Sequence, residues 1–394
     1  MKIIIRPNNK AQYQCLKDIS AIEPPIWHCL LADKYDADLI IDAEVEGLNG
    51  AQLEARVKAY KPDKIYIMAT GSHPSAFFQA TEGAVRFTKI FNDSECITSL
   101  PVDLWHGVPR WDLIDVHKYR CHNWHGWTTK SGKKCSPYGV TYTSISCPFR
   151  CAYCAIHGFY GMRYELRDLK KVYSDFDYFA TEGIENIKIM DELFTFNERR
   201  IGAICDYLNG SEFNIWAYAR FDRVNEGMLK KMKRAGINWL AYGIDDFKGG
   251  MTNRKIRDIV KMTQDAGIAV MGNFIFGFWE DSMKKMLLRL DFAAKTLYEY
   301  VNFYCLTAYP GSKIRESYKE EDLPTKWEQY AQTSPEFKPL PTKYLKGSEV
   351  LKFRDEAFKR YFSNPDYQDM VNNKFGANAV SEVNDMLQLP FRRK

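Results

Sequence analysis

The stretch Cys147-Pro-Phe-Arg-Cys151-Ala-Tyr-Cys154 constrains this chain more than any other. It follows Tyr138-Gly-Val-Thr-Tyr-Thr-Ser-Ile145, a β-branched and aromatic run that reads as a strand. Three thiols are thereby placed on one loop at a strand end. Spaced C-x3-C-x2-C, they cannot fill four metal positions by themselves. A cubane iron–sulfur cluster usually takes four cysteine ligands, so three leave one iron open to a ligand that is not protein. Two other readings stay open at this point. His157 follows Cys154 by three and could complete a Cys3His zinc site, or the cysteines could be ordinary buried small hydrophobes.

A chain of 394 residues is long enough for two or three domains with substantial cores. Hydrophobic residues make up 45% and charged residues 27%, the balance of a water-soluble globular protein. The net charge of +5 is spread along the chain, which gives no reason to expect nucleic acid or an acidic membrane surface. No window has the apolar length of a membrane span, and Met1-Lys-Ile-Ile-Ile-Arg-Pro is too short for a secretory signal. A cytoplasmic location is expected. The ten cysteines fit a reducing compartment and metal use better than a disulfide framework. Cys15, Cys29, Cys96, Cys121, Cys135, Cys205 and Cys305 are scattered and read as thiols, with Cys121 and Cys135 nearest the loop.

Residues 1–95 read as a small α/β unit. Ile3–Ile5, Ala37–Asp42 and Lys64–Ala69 are strand runs, with helices at Ile26–Asp33 and Gly50–Tyr60 between them. This alternation predicts a parallel, doubly wound, flavodoxin-like sheet. Ligands of such sheets bind at the carboxyl ends of the strands, where three loops fall: Glu23–Trp27, Asp42–Gly47 and Thr70–Ala76. None carries a G-x-G-x-x-G or Walker sequence. Residues 96–137 break the pattern and crowd Trp105, Trp111, Trp124 and Trp127 with His106, His117, His122 and His125. They either line a cavity at a domain interface or pack a connector between two domains. From 138 to 312 the strand–helix rhythm returns, with strands at Gly139–Ile145, Asn186–Met190, Phe213–Tyr218, Trp239–Ile244, Val270–Phe276 and Tyr300–Thr307. Residues 313–394 carry helical segments at Val350–Phe362 and Asn378–Leu387 and read as a mostly helical cap.

The cysteine spacing, with its aromatic residue before the last Cys, resembles the radical S-adenosylmethionine superfamily. The first 95 residues resemble the cobalamin-binding domain that precedes the barrel in one branch of it, and the whole is similar to an uncharacterised subgroup of that branch. The resemblance implies an N-terminal Rossmann-like sheet, a partial (βα)6 barrel and a small helical C-terminal region. It implies a [4Fe-4S] cluster on Cys147, Cys151 and Cys154, whose open iron chelates S-adenosylmethionine and delivers the electron that releases a 5′-deoxyadenosyl radical. Strand ends of a parallel barrel gather the catalytic groups. By resemblance these supply S-adenosylmethionine contacts at Tyr153, Asp191, Glu192, Arg220, Asp245, Ile275, Gly277 and Glu280, where Asp245 stands in place of the usual Glu. Cobalamin contacts are implied at Glu23, Pro24, Pro25, Glu44, Gly71, Ser72, His73, Ser75 and Ala76. The D-x-H-x-x-G signature of a cobalt-ligating His is absent, so no imidazole is expected below the metal.

The activity implied is methylation of an unactivated carbon of a small-molecule or glycan-precursor substrate, with an external electron donor of flavodoxin or ferredoxin type. Cobalamin-dependent rearrangement or reduction, methylthiotransfer to RNA, and a structural zinc or redox-sensing protein are the alternatives.

Overall fold

The computed structural model describes residues 1–8, 14, 16, 18–69, 77, 80–81, 83–85, 88–91, 94–97, 102–131, 135–244, 251–390 and 392–393. The first sheet contains β1 (Lys2–Arg6), β2 (Leu39–Asp42), β3 (Lys64–Met68) and β4 (Ser94–Ile97) in the order β2-β1-β3-β4, with every pairing parallel. Strand alternation divides its side chains. Ile3 and Ile5 join Ile41, Leu53 and Val57 beneath helix α2 (Gly50–Tyr60), while Ile4 joins Leu30 and Leu31 of α1 (Ile26–Tyr35) on the other face. A capping box between Asn49 and Gln52 starts α2. The sheet is covered on both sides, as the alternation of strand and helix predicted. Strand β4 pairs beyond the boundary expected at residue 95.

The connector adds a short helix, α3 (Asn123–Gly126). The second sheet is six-stranded and wholly parallel: β5 (Tyr138–Thr141), β8 (Asn186–Ile189), β9 (Asn214–Ala219), β10 (Ile237–Gly243), β11 (Ala269–Phe276) and β12 (Tyr300–Cys305) lie side by side in chain order. Between them run α5 (Leu169–Thr181), α6 (Glu198–Tyr207), α7 (Glu226–Arg234), α8 (Asn253–Asp265) and α9 (Met283–Thr296). Each opens on a side-chain cap, respectively Asp168, Asn197, Asn225, Thr252 and Ser282, that accepts from a first-turn amide. A left-handed Gly236 (φ +82°) leads into β10, and a Cβ there would come within 2.5 Å of the Phe213 carbonyl oxygen.

The run expected as one strand over Gly139–Ile145 is divided. β5 ends at Thr141, and Ser144–Ile145 forms β6, paired antiparallel with β7 (Glu165–Leu166). The cause is a tertiary contact: the Asp191 carboxylate takes both the amide and the hydroxyl of Thr143, which withdraws that residue from the ladder. A short helix, α4 (Ile156–Tyr160), follows the cysteine loop. The C-terminal region holds α10 (Gly347–Phe362), α11 (Pro365–Phe375) and α12 (Ala377–Leu387). The middle one was not anticipated, although Asn364 caps it and Pro365 opens it. One apolar core runs from Ile4 and Leu30 through Ile187 and Ile215 to Val350 and Val383.

Candidate functional site

Ser146 adopts a left-handed φ of 65°, which turns the chain out of β6 into the cysteine loop. Cys147, Cys151 and Cys154 are half-buried free thiols. The Cys154 amide donates to the Cys151 carbonyl at 3.0 Å, and the Ile314 amide donates to the Ala152 carbonyl at 2.8 Å. Gly158 presses against Gly311 so closely that a Cβ on it would stand 3.2 Å from the Gly311 Cα. The loop is thus seated on the turn that follows β12. Burial pushes the Cys147 thiol up, and the Cys154 thiol to about 11. Ionising either at neutral pH therefore needs a positive partner such as a metal.

His157 does not join the thiols. Its Nε2 faces the Phe149 carbonyl at 2.8 Å and its Nδ1 the Gly161 carbonyl at 3.2 Å, so it braces the loop. Among the described residues, no three His, Cys, Asp or Glu side chains converge on a single ion. A zinc site gathers four ligands at one point, whereas cluster cysteines each hold a different iron. Cys121 and Cys135 lie against one another in the connector, joined also by a 2.9 Å amide-to-carbonyl bond.

Of the expected S-adenosylmethionine contacts, several surround the loop. Glu192 is half-buried beside it: its carboxyl is hydrogen-bonded by the Ser146 amide and the Tyr160 hydroxyl, and its Oε2 is buried without a partner among the described residues. Burial pushes its pKa well up. Asp191 is committed elsewhere, accepting at 2.6 Å from the Thr143 amide, the Thr143 hydroxyl and the Ser144 hydroxyl. Arg220 stacks over Phe149 of the loop and forms a bidentate pair with Asp222 at 2.9 and 3.2 Å. Tyr153 and Ile275 share a small apolar cluster with Phe278. Gly277 has φ +93°, and a Cβ on it would lie 2.9 Å from Val350 of α10. Glu280 is exposed and faces Lys343 at 3.8 Å. Asp245 lies outside the described residues.

The sequence left unread the device that fixes the 275–281 turn. Asp281 accepts from the amides of Gly277 and Phe278 and pairs with Arg289, which also donates to the Ile275 carbonyl. Both side chains are nearly enclosed. An Asp just before a helix, with a cation eight residues on, was the available signal.

At the carboxyl edge of the first sheet, Arg6 joins Asp42 at 2.9 Å, Glu44 at 3.3 Å and the Glu23 carbonyl at 2.7 Å. The Glu23 carboxylate reaches across to Lys188 of β8 at 2.6 Å. Pro24 and Pro25 open α1, their carbonyls accepting from Ile26, His28 and Cys29. Gly71, Ser72, His73, Ser75 and Ala76 lie outside the described residues.

Between the two sheets lies a cavity of about 740 Å³. The connector builds its floor. Thr128 and Thr129 donate to Asn214 and Asn186, His125 bonds the Asn214 carbonyl, and Asn238 donates to Asn214, so three strands share one polar ladder. On that ladder Trp124 packs against Trp216 and Trp239. His122, Trp124 and Trp127 line the cavity, whereas Trp105 and Trp111 are buried in the main core. Both roles foreseen for the connector are therefore present.

No family model matches the chain. A radical S-adenosylmethionine methyltransferase, TsrM from Kitasatospora setae, solved with cobalamin and a [4Fe-4S] cluster, superposes with a TM-score of 0.57 at 14% identity over 79% of this chain and 73% of that one. The cobalamin-dependent S-adenosylmethionine radical enzyme OxsB superposes at 0.54 and 12% identity over 98% of this chain and 71% of that one. The fold is that of cobalamin-dependent radical S-adenosylmethionine enzymes. Within that radical S-adenosylmethionine fold the cysteine loop stands at the carboxyl end of the parallel sheet, against the turn after β12. An uncharacterized methyltransferase of Pyrococcus horikoshii is 26% identical over 271 residues, 66% of this chain. The chain spans about half the length of the first two curated relatives it matches, 56% and 49%.

Proposed function

We propose that this chain is a cobalamin-dependent radical S-adenosylmethionine enzyme that methylates an unactivated carbon of a small molecule. The observation that carries the reading is a loop of three half-buried thiols with no further protein donor among the described residues to complete the set, beside a buried carboxylate oxygen that lacks a partner among those residues. The donor set suits a [4Fe-4S] cluster held by Cys147, Cys151 and Cys154 with one iron open. Glu192 would receive the ammonium of S-adenosylmethionine, since its orphaned oxygen is the kind of buried acceptor that a cationic donor satisfies. Arg220, already paired with Asp222, keeps donors of its planar fork for a carboxylate. Tyr153, Ile275 and Phe278 form the apolar wall near the loop. When bound, the cluster would supply the electron for sulfonium cleavage, and cobalamin the methyl carrier.

The likeness to TsrM and OxsB supports the general kind, and two of the sequence relatives, named as methyltransferases, favour methyl transfer. The first sheet is the proposed corrinoid platform, with the 70–76 loop as its proposed contact. The partial barrel is the proposed form of the second sheet, and residues 1–95, 96–137, 138–312 and 313–394 are the proposed domains. The test is anaerobic reconstitution with iron, sulfide and hydroxocobalamin, followed by assay with a reductant. Formation of 5′-deoxyadenosine together with S-adenosylhomocysteine supports the reading. 5′-Deoxyadenosine alone points to rearrangement or reduction, and a colourless zinc protein overturns the reading.

A further inference from the structure

Three aromatic side chains from separate parts of the chain form a line of hydrogen bonds that ends on Glu192. The Trp27 indole of α1 donates to the Tyr142 hydroxyl at 3.2 Å, and the Tyr142 and Tyr160 hydroxyls stand 3.4 Å apart. The Tyr160 hydroxyl in turn meets the Glu192 carboxyl. All three rings are buried. They also hold one another, with ring centres 5.3 Å apart for Trp27 and Tyr142 and 6.1 Å for Trp27 and Tyr160. Tyr160 is the last residue of α4, and that end of the helix is tied to the cysteine loop, since the Ser146 hydroxyl donates to the Gly161 carbonyl at 3.0 Å.

Chemistry gives the line a direction. An indole N–H can only donate, and an ionised carboxylate can only accept. Tyr142 therefore receives from Trp27, and among the described residues its own hydroxyl proton has Tyr160 as its remaining partner. A Tyr160 oxygen that receives this proton directs its own to Glu192. Oε2 of Glu192 has no partner among the described residues, so Tyr160 and the Ser146 amide both meet Oε1. The two carboxylate oxygens are thereby made unequal: one is held by two donors and the other is left open. The terminal torsion of a glutamate is broad, so without such a tether either oxygen could turn outward.

We infer that Tyr160 is a positioning residue for S-adenosylmethionine: by holding Oε1 it presents Oε2 to the ammonium, and Trp27 and Tyr142 keep its hydroxyl from turning away. The inference rests on the enzyme reading above, in which Glu192 receives that ammonium, and adds residues that act only through Glu192. Because Trp27 belongs to α1, a helix packed on the first sheet braces a site on the second.

Equilibrium dialysis of S-adenosylmethionine against the reconstituted full chain tests this, with iron content measured on every variant. Tyr160→Phe is expected to raise the dissociation constant about tenfold, the share of one hydrogen bond to a charged group. Tyr142→Phe, which removes the link behind it, should raise it by a smaller factor. Glu192→Gln supplies the reference background. There Tyr160→Phe should change the constant less than about twofold, whereas a role in packing alone would carry over undiminished. Should Tyr160→Phe take up less iron, Tyr142→Phe, which leaves α4 unaltered, makes the same comparison in the two backgrounds. Parental affinity in Tyr160→Phe, or an equal loss with and without the Glu192 carboxylate, overturns the inference and leaves the enzyme reading standing. Undiminished affinity in Glu192→Gln overturns the assigned role of Glu192 and the inference with it.

Discussion

The Arg220 guanidinium lies 3.9 Å from the centre of the Phe149 ring, so the residue that follows β9 is stacked on the turn between Cys147 and Cys151. Arg220→Lys keeps the charge but loses the planar fork and the stacking. The S-adenosylmethionine dissociation constant is expected to rise about tenfold, the loss of one charge-assisted hydrogen bond, with iron content unchanged. Equilibrium dialysis against reconstituted protein measures it. Undiminished affinity would mean that Arg220 serves only to hold the loop.

Replacing Cys147, Cys151 or Cys154 singly with Ala should remove the iron chromophore and reduce S-adenosylmethionine cleavage to background. Corrinoid binding should persist, since the proposed corrinoid contacts lie on the first sheet. Iron analysis and the visible spectrum of bound hydroxocobalamin report the two separately. Joint loss of iron and corrinoid would argue against two distinct sites.

Gly277 is held at φ +93° with Val350 against the place a Cβ would occupy. Gly277→Ala is expected to lower stability by about 1–3 kcal/mol, the usual cost of a strained backbone position. In a Val350→Ala background the added cost of alanine should shrink toward the backbone share alone. Urea unfolding of the four proteins supplies the comparison, and equal costs in both backgrounds would remove Val350 from the account.

Burial lowers the pKa of His125 to about 3 and of His28 to about 4. Each imidazole is neutral in the folded chain, whereas an unfolded histidine takes up a proton near pH 6.5. Below that pH the unfolded state binds more protons, so the stability present above about 6.5 falls as pH drops toward 4. His125→Gln retains a donor for the Asn214 carbonyl and should flatten the loss. Denaturant midpoints at pH 7 and pH 5 check it: the midpoint shift should be smaller for the variant than for the parent.

The strand–helix rhythm could be read because each strand is a short apolar run and each crossover helix opens on an Asp, Asn, Thr or Ser that caps it. Local chemistry fixes such elements. The division of β5 from β6 could not be read, because it depends on Asp191, some fifty residues away, capturing Thr143. For the same reason Asp191 and Glu192, adjacent in sequence, have separate roles: one latches two strands and the other keeps an open oxygen. Lys188 was a missed signal, a charged residue in the apolar run Asn186-Ile-Lys-Ile-Met190. Its purpose depends on Glu23, which belongs to the other sheet. The connector's tryptophans stood out by composition, but whether each faced a cavity or the core depended on partners distant in sequence: Trp216 and Trp239 for Trp124, Tyr142 for Trp105, and Tyr178 and Phe179 for Trp111.

The continuous core joining both sheets has a further consequence. Trp27 of α1 donates to Tyr142, Tyr119 to Asp42, and Lys188 to Glu23, so each half supplies part of the other's interior. Severed at the connector, neither fragment would own a complete inside. Each would turn toward water a surface shaped for its sister, and heating the intact chain should melt the two halves in a single event.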